Sequence, residues 1–460
     1  MSAELDLAGR VVDLVRRLAG SAAQAEVQAG HTALALTRFA NSGIHQNVAD
    51  ATTSVWLRVN LDGRTVGGST TVVDEAGLTA LVERTIAAAA LTPVDPGWPG
   101  LTPPAPLVGD GAWDEATAQA GPEERAARVR AFVDAAEGLE TAGYCRTVHW
   151  SGAFANSAGQ AVAGRATEAA MDGIARVPGA DGVARLGSRR LADIDGVVLG
   201  GRAALKARAG TDPVELPPGR YEVVLEPTAV ADLLANFAFY GFNGKLHNER
   251  QSFAEIGAAQ FDAAVTIVDD VTATAGAGVP FDGEGTPKRP VTFVGDGITT
   301  AVAHDRRSAA EAGAVSTGHA WPGGSAFGPL AANLRLQPDE GAPAAAVAGP
   351  AADGHTAALL STMERGLLVS DFWYTRVLDP KTLVVTGLTR NGVWLVEDGE
   401  ITRPVRNFRF TQSYPLALGP GAVLGIGGNA ITPADSWDIF GFTGPSLRLA
   451  SWNFTGGASG

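Results

Sequence analysis

Cysteine is nearly absent from this chain: Cys145 is the one thiol in 460 residues. That excludes an intrachain disulfide and any Cys-x-x-Cys metal clip, so nothing points to an oxidising compartment. Basic residues are scarce too. Lys and Arg total 35 against 49 acids, a formal charge of -14. They are also scattered, with Arg189-Arg190 and Arg306-Arg307 as isolated pairs. A phosphate-binding surface needs clustered cations, so no nucleic-acid partner is expected. Long apolar runs are missing, and none approaches the about 20 residues that a membrane-crossing helix requires. The amino terminus, "MSAELDLAGRVVDLVRRLAG", has early acids and no basic start, unlike a secretory signal. It reads as an amphipathic helix with Leu5, Val12, Val15 and Leu18 on one side. The expectation is a soluble cytoplasmic protein without a membrane partner.

What is abundant is glycine and proline, 58 and 26 residues, beside 45% hydrophobic residues. Sizeable cores with many turns, short strands and a minority of helix follow. "TTSVWLRVNLDGRTVGGSTT" is a hairpin signal: Val55, Leu57 and Val59 alternate, Asp62-Gly63 turns, and Val66 resumes. "DEAGLTALVERTIAAAAL" places Leu78, Leu81, Val82 and Ile86 at helical spacing. Prolines 93, 96, 99, 103, 104 and 106 then mark an extended connector. Pro122 with Glu123-Glu124 starts another helix, short strands follow with a turn at Asn156–Gly159, and a helix spans about 196–209. From Tyr221 onward, β-like segments dominate, with Asn391-Gly392 and Asp398-Gly399 as turn pairs between them.

The reading is α+β. An N-terminal α/β region of helices and short sheets comprises 1–92 and 111–215, joined by a Pro-rich linker at 93–110. A C-terminal β-rich domain, antiparallel and barrel-like, covers 216–460 and carries a helix from Val230 to Tyr240.

Chemistry-bearing motifs are weak. "PGGSAFG" has Phe327 where a nucleophile elbow around Ser325 needs glycine. Cys145 and His149 share a strand face, but a lone cysteine is usually a small buried hydrophobe. The seven histidines form no H-E-x-x-H and no helical pair. "GIGGNA", Gly425–Ala430, satisfies G-x-G-x-x-A without the long helix a pyrophosphate site needs. Asp269, Asp270, Asp282 and Glu284 lie close in sequence but lack the Ca²⁺-loop pattern, and Asp282-Gly283-Glu284-Gly285 is a compact polar loop.

The order of segments is more specific than any of these. "TRFANSGIHQ", "VNLDGRTVGGSTT", "FANSAGQ", "GRYEVVLEPTAVADLL", "TIVDD", "FDGEGTPKRP", "STGHA", "ERGLLVS" and "GVWLVEDGEITRPV" succeed one another along nearly the whole chain. This series resembles the TldD/PmbA family, the so-called gyrase-modulator proteins. The resemblance implies a soluble cytoplasmic protein of one of two branches. In the TldD branch, H-E-x-x-x-H on the helix after the strand and a later cysteine hold the zinc of a metallopeptidase. The TldE (PmbA) branch lacks those ligands and pairs with the first in a heterodimer that degrades or trims unfolded and modified peptides.

Laid on that motif, Ala235 stands for the first His, Asn236 for the Glu and Tyr240 for the second His. Alanine has no lone pair, a neutral amide is no general base, and a phenol with a pKa of about 10 is a poor zinc ligand. No cysteine follows Cys145. The resemblance therefore implies a TldE-type subunit with no catalytic residue, metal or cofactor of its own, with zinc in a TldD-like partner and peptide as substrate. Phe237, Phe239, Tyr240 and Phe242 replace the ligands with aromatic bulk, suited either to a core or to a cavity or interface wall. His247, Arg250, Asp282, Glu284 and His319 are the polar candidates around such a cavity. Two alternatives stay open: a stand-alone enzyme of non-proteolytic chemistry using these groups with Glu249, and a structural homodimer.

Overall fold

The computed structural model describes residues 2–109, 111–271, 278–321, 326–345, 352–434 and 440–457. Helix α1 (Ala3–Ala19) is capped by the Ser2 side chain, has acids in its first turn and ends at Gly20 with φ 86°. Its buried stripe is Leu7, Ala8, Val11, Val12 and Val15, whereas Leu18, in the last turn, is exposed. Strands β1 (Gln24–Ala40), β2 (Gly43–Leu61) and β3 (Arg64–Thr70) form a meander. The β2–β3 turn is at Asp62-Gly63, both at positive φ. After α2 (Glu75–Ala89) come α3 (Glu115–Ala118), α4 (Pro122–Ala135), β4 (Glu140–Asn156), β5 (Ala161–Val177), β6 (Ala180–Ser188) and α5 (Gly196–Ala209).

The stretches either side of the Pro-rich segment build one sheet in the order β3-β2-β1-β4-β5-β6, because β1 pairs with β4 along almost its whole length. The strands are long, up to 19 residues in β2, so the expected short sheets are one large one. Nor is the connector a spacer. Arg306 donates to the carbonyls of Pro99 (3.1 Å) and Leu101 (2.9 Å), Arg307 pairs with Asp95 at 2.6 Å, and Thr102 donates to the Glu284 carbonyl at 2.6 Å. It straps the sheet to the second half of the chain.

One sheet face packs α1 and α2 over β1 and β2, and α4 and α5 over β4 to β6. The other presents Gln28, Arg58 and Phe154 to the C-terminal half, where Phe154 and Val162 meet Phe281.

That half opens with β7 (Gly219–Leu225), α6 (Pro227–Asn236) and α7 (Gly244–Asn248), followed by β8 (Ile267–Asp269), β9 (Val291–Gly295), β10 (Ile298–Thr299), α8 (Arg306–Ala312), β11 (Leu334–Leu336) and α9 (Gly354–Leu360). Then come β12 (Arg365–Asp379), β13 (Val384–Glu397), β14 (Glu400–Pro404), β15 (Phe408–Ser413), α10 (Tyr414–Ala417), β16 (Val423–Ile426) and β17 (Leu447–Gly457). Strands β12, β7, β17, β15 and β13 pair in sequence, and β13 returns to β12, which closes a barrel. All these pairings are antiparallel except β12 with β7. Closure leaves no strand edge within the ring. Asp398-Gly399 turns β13 into β14, but Asn391-Gly392 is not a turn between strands. It lies inside β13 as a bulge opposite Ser370, with φ of 60° and 131°.

Candidate functional site

The site grows from the junction of β7 and α6. Glu226 immediately precedes Pro227, the first residue of the helix, so its charge complements the helix amino terminus. Burial alone would raise its pKa, but Lys206 and Arg202 hold it below the usual carboxylate range. Both cations come from α5, and Ser370 of β12 donates to the same carboxylate. One face of α6 buries Val230, Leu233 and Leu234 in the barrel-side core. The opposite face, Thr228, Ala231, Asp232 and Ala235, lines a cavity of about 770 Å³.

After Asn236 the helix widens. The Phe242 N–H donates to the Phe237 carbonyl at 2.7 Å, an i→i+5 bond, so Phe237–Gly241 is a π turn. The extra residue changes the phase of the side chains. Phe237 and Phe242 stack in the core at 5.4 Å, both fully buried. Phe239 and Tyr240 turn outward, 39% and 40% exposed, and line the cavity. The aromatic group therefore splits: Phe237 packs in the core and does not touch the cavity, while Phe239 meets Phe440 edge-on at 5.4 Å. Trp321, Phe440 and Phe442 complete the aromatic wall.

At the floor lies Asp232, which composition and spacing did not single out. Thr375 donates to its Oδ1 at 2.8 Å, and Tyr414 and Asn236 approach its Oδ2 at 3.4 Å. Burial pushes its pKa up to about 7, with the Asp371 charge adding to the rise and the Thr375 and Tyr414 hydrogen bonds opposing it. The signal was in the sequence: an acid in an otherwise apolar helix needs a reason.

The remaining polar candidates disperse. His247 and Arg250 belong to α7 and the turn after it, where Arg250 has φ 57°. Asp282 and His319 line a second hollow of about 340 Å³ between the N-terminal sheet and the C-terminal half, together with Lys288 and Trp150. There Asp282 accepts backbone N–H bonds from Glu284, Thr286 and Ala320, each at 2.9 Å, while burial pushes its pKa up to about 6. His319 bonds Thr317 at 2.8 Å and faces Asp269 at 3.5 Å. Glu284 lies in a third hollow, bound by Arg58 and by the Arg306 N–H. Trp321 lines all three. So of the groups offered for a stand-alone enzyme, Asp282 and His319 share a hollow while Glu284 lines another.

The other motifs resolve simply. Cys145 is buried under α4 and α5, and burial pushes its thiol up to about 12, the opposite of a nucleophile's need. His149 instead lies beside His31 and Trp113. Gly425 and Ile426 belong to β16, which runs antiparallel to β17. Ser325 falls outside the described residues.

Residues 218–456 match the family model for the PmbA/TldA metallopeptidase C-terminal domain. The chain belongs to the TldD/PmbA family. No curated protein matches its sequence. Among solved structures, TldE from Thermococcus kodakarensis aligns with TM-score 0.84 at 14% identity, covering 98% of this chain and 100% of that one. A DNA-gyrase-modulator protein from Thermotoga maritima gives 0.81 at 18%, covering 98% and 99%. Another from Bacteroides thetaiotaomicron gives 0.78 at 17%, covering 98% of each. At these identities the likeness is one of fold.

Family membership raises the question of a metal, and the residues at the motif positions do not fit one. Ala235 offers only a methyl group to the cavity. Asn236 is buried, and its amide donates back to the Asp232 carbonyl at 2.9 Å. Tyr240 faces the cavity, and among the described residues no group of three His, Cys, Asp or Glu converges. No helix among these residues is long and apolar enough to cross a membrane.

Proposed function

We propose that this protein is a TldE/PmbA-type subunit that supplies no metal ligands and shapes a peptide-binding cavity for a TldD-like metallopeptidase partner. The observation that carries this reading is the cavity itself. It opens where the family's metal-binding helix runs, yet Ala235, Phe239 and Tyr240 wall it with methyl and aromatic groups. A cavity of this size with apolar walls and few polar groups suits ligand binding without chemistry of its own. Its setting would be cytoplasmic, and zinc would reside in the partner.

The N-terminal sheet supports assembly. Strand β2 pairs with β3 only over 55–61, so among the described residues its other edge is open from Gly43 to Ser54. That edge, "GIHQNVADATTS", holds one acid and no Lys, Arg or Pro. Open edges in monomers are normally blunted by such residues, so this one suits pairing with a strand of another chain.

The test is expression of this chain with and without a TldD-like protein from the same host. Co-purification is expected, with zinc and unfolded-peptide hydrolysis found in the pair alone. Zinc-dependent hydrolysis by this chain by itself would overturn the reading.

A further inference from the structure

We infer that Asp232 is a receiver for a primary ammonium group, and that the cavity takes peptides which place such a cation among apolar or aromatic side chains. This rests on reading the cavity as a peptide site, and it specifies what that site selects.

The first ground is a comparison within the molecule. The deeply buried carboxylates have partners. Glu26 and Glu284 share Arg58, Glu168 has Arg146, Glu226 has Lys206 and Arg202, Asp371 has Arg185, and Asp269 has His319. Asp282 and Asp305 are held by backbone N–H groups. Asp232 has neither. Its donors are the neutral side chains of Thr375, Tyr414 and Asn236, and no cation among the described residues forms an ion pair with it. Unlike them it is part-exposed, and it lines the large cavity.

The second ground is geometry. Oδ1 has a good bond at 2.8 Å, but both contacts to Oδ2 are at 3.4 Å, long enough to yield to a charged donor. The third is the wall. Phe239, Tyr240, Trp321 and Phe440 line it with aromatic rings, which suit a cation carried on an alkyl stem. The cavity's own cation, Lys245, is engaged by Glu249 at 3.0 Å and does not neutralise Asp232.

Two sources share this chemistry, a free peptide amino terminus and a lysine side chain. Calorimetry on the full chain would use three probes: Phe-Leu-Phe amide, its N-acetyl form, and N-acetyl-Phe-Leu-Lys amide. At least one ammonium-bearing probe is expected to bind at least tenfold tighter than the uncharged one, and which does so names the source. Asp232→Asn should abolish that preference while apolar binding persists. Because this variant also alters the packing around Thr375 and Tyr414, Ala235→Lys serves as a second. It places an internal ammonium one turn from Asp232 and should abolish ammonium binding, whereas Ala235→Met, of similar bulk, should keep the preference. Equal binding of all three probes, a preference retained in Asp232→Asn, or no binding at all would each overturn the assignment. Partner pairing is read by co-purification, so it stands or falls separately.

Discussion

At the scale of single residues, Asp232 sets the pH behaviour of the cavity. Its folded pKa is raised to about 7, so the fold favours the neutral carboxyl while the unfolded chain ionises near 4. Stability contributed by this group is therefore complete below pH 4 and lost as pH rises towards 7, by up to about 4 kcal/mol. The ionisable groups facing it are Tyr414 and Asp371. Urea unfolding at pH 5 and pH 8 should show Asp232→Asn gaining on the parent at the higher pH. An equal difference at both would refute the assignment. Gly241 is a second sensitive position. A Cβ there would come within 2.7 Å of Phe253 and 3.1 Å of Phe237, inside the π turn. Gly241→Ala should cost about 1–3 kcal/mol by overpacking and shift Phe239 and Tyr240, which thermal unfolding and probe affinity would register together.

At the scale of elements, the π turn and the β2 edge matter most. Both departures from local expectation have the same cause. A helical repeat read from sequence assumes 3.6 residues per turn, so it misses the one inserted residue after Asn236 that turns Phe237 and Phe242 inward and Phe239 and Tyr240 outward. Likewise Asn391-Gly392 has the composition of a hairpin turn, yet the strand continues through it because both its arms pair with β12. Hairpins, helix starts and the closing barrel strands were legible, since turn chemistry and alternation are local. For the edge, Ala49→Lys with Ala51→Lys adds charge at exposed positions and should leave the melting temperature within about 2 °C. The same pair should abolish co-elution with a TldD-like partner in size-exclusion chromatography. Intact co-elution would remove β2 from the interface.

At the scale of the whole molecule, α5 locks the two halves together. Lys206 lies buried against Glu226 and Ser370, and Arg202 reaches the same carboxylate at 2.7 Å. Arg185 adds a second tie to Asp371 at 2.6 Å. Because Glu226 leads into the cavity helix, these ties fix α6 relative to the N-terminal sheet. Lys206→Met should destabilise the protein by about 3 kcal/mol, since it leaves a buried carboxylate short of a partner. Adding Glu226→Gln should recover much of that loss, and denaturant midpoints of the single and double variants would reveal the coupling. Additive losses would show that the pair does not act as a unit.

The sequence by itself determined that Ala235, Asn236 and Tyr240 carry no His or Glu, the order of segments that marks the family, and most turns and helix starts. These depend on residue identity and on contacts a few positions apart. Only the tertiary structure decided that two stretches separated by prolines make one sheet, that Phe237 faces inward while Tyr240 faces out, and that Asp232 meets Thr375 of β12 and Tyr414 of α10, far along the chain. The first and last depend on pairings across more than a hundred residues. Local periodicity carries no record of such pairings, because backbone hydrogen bonding and packing select them together.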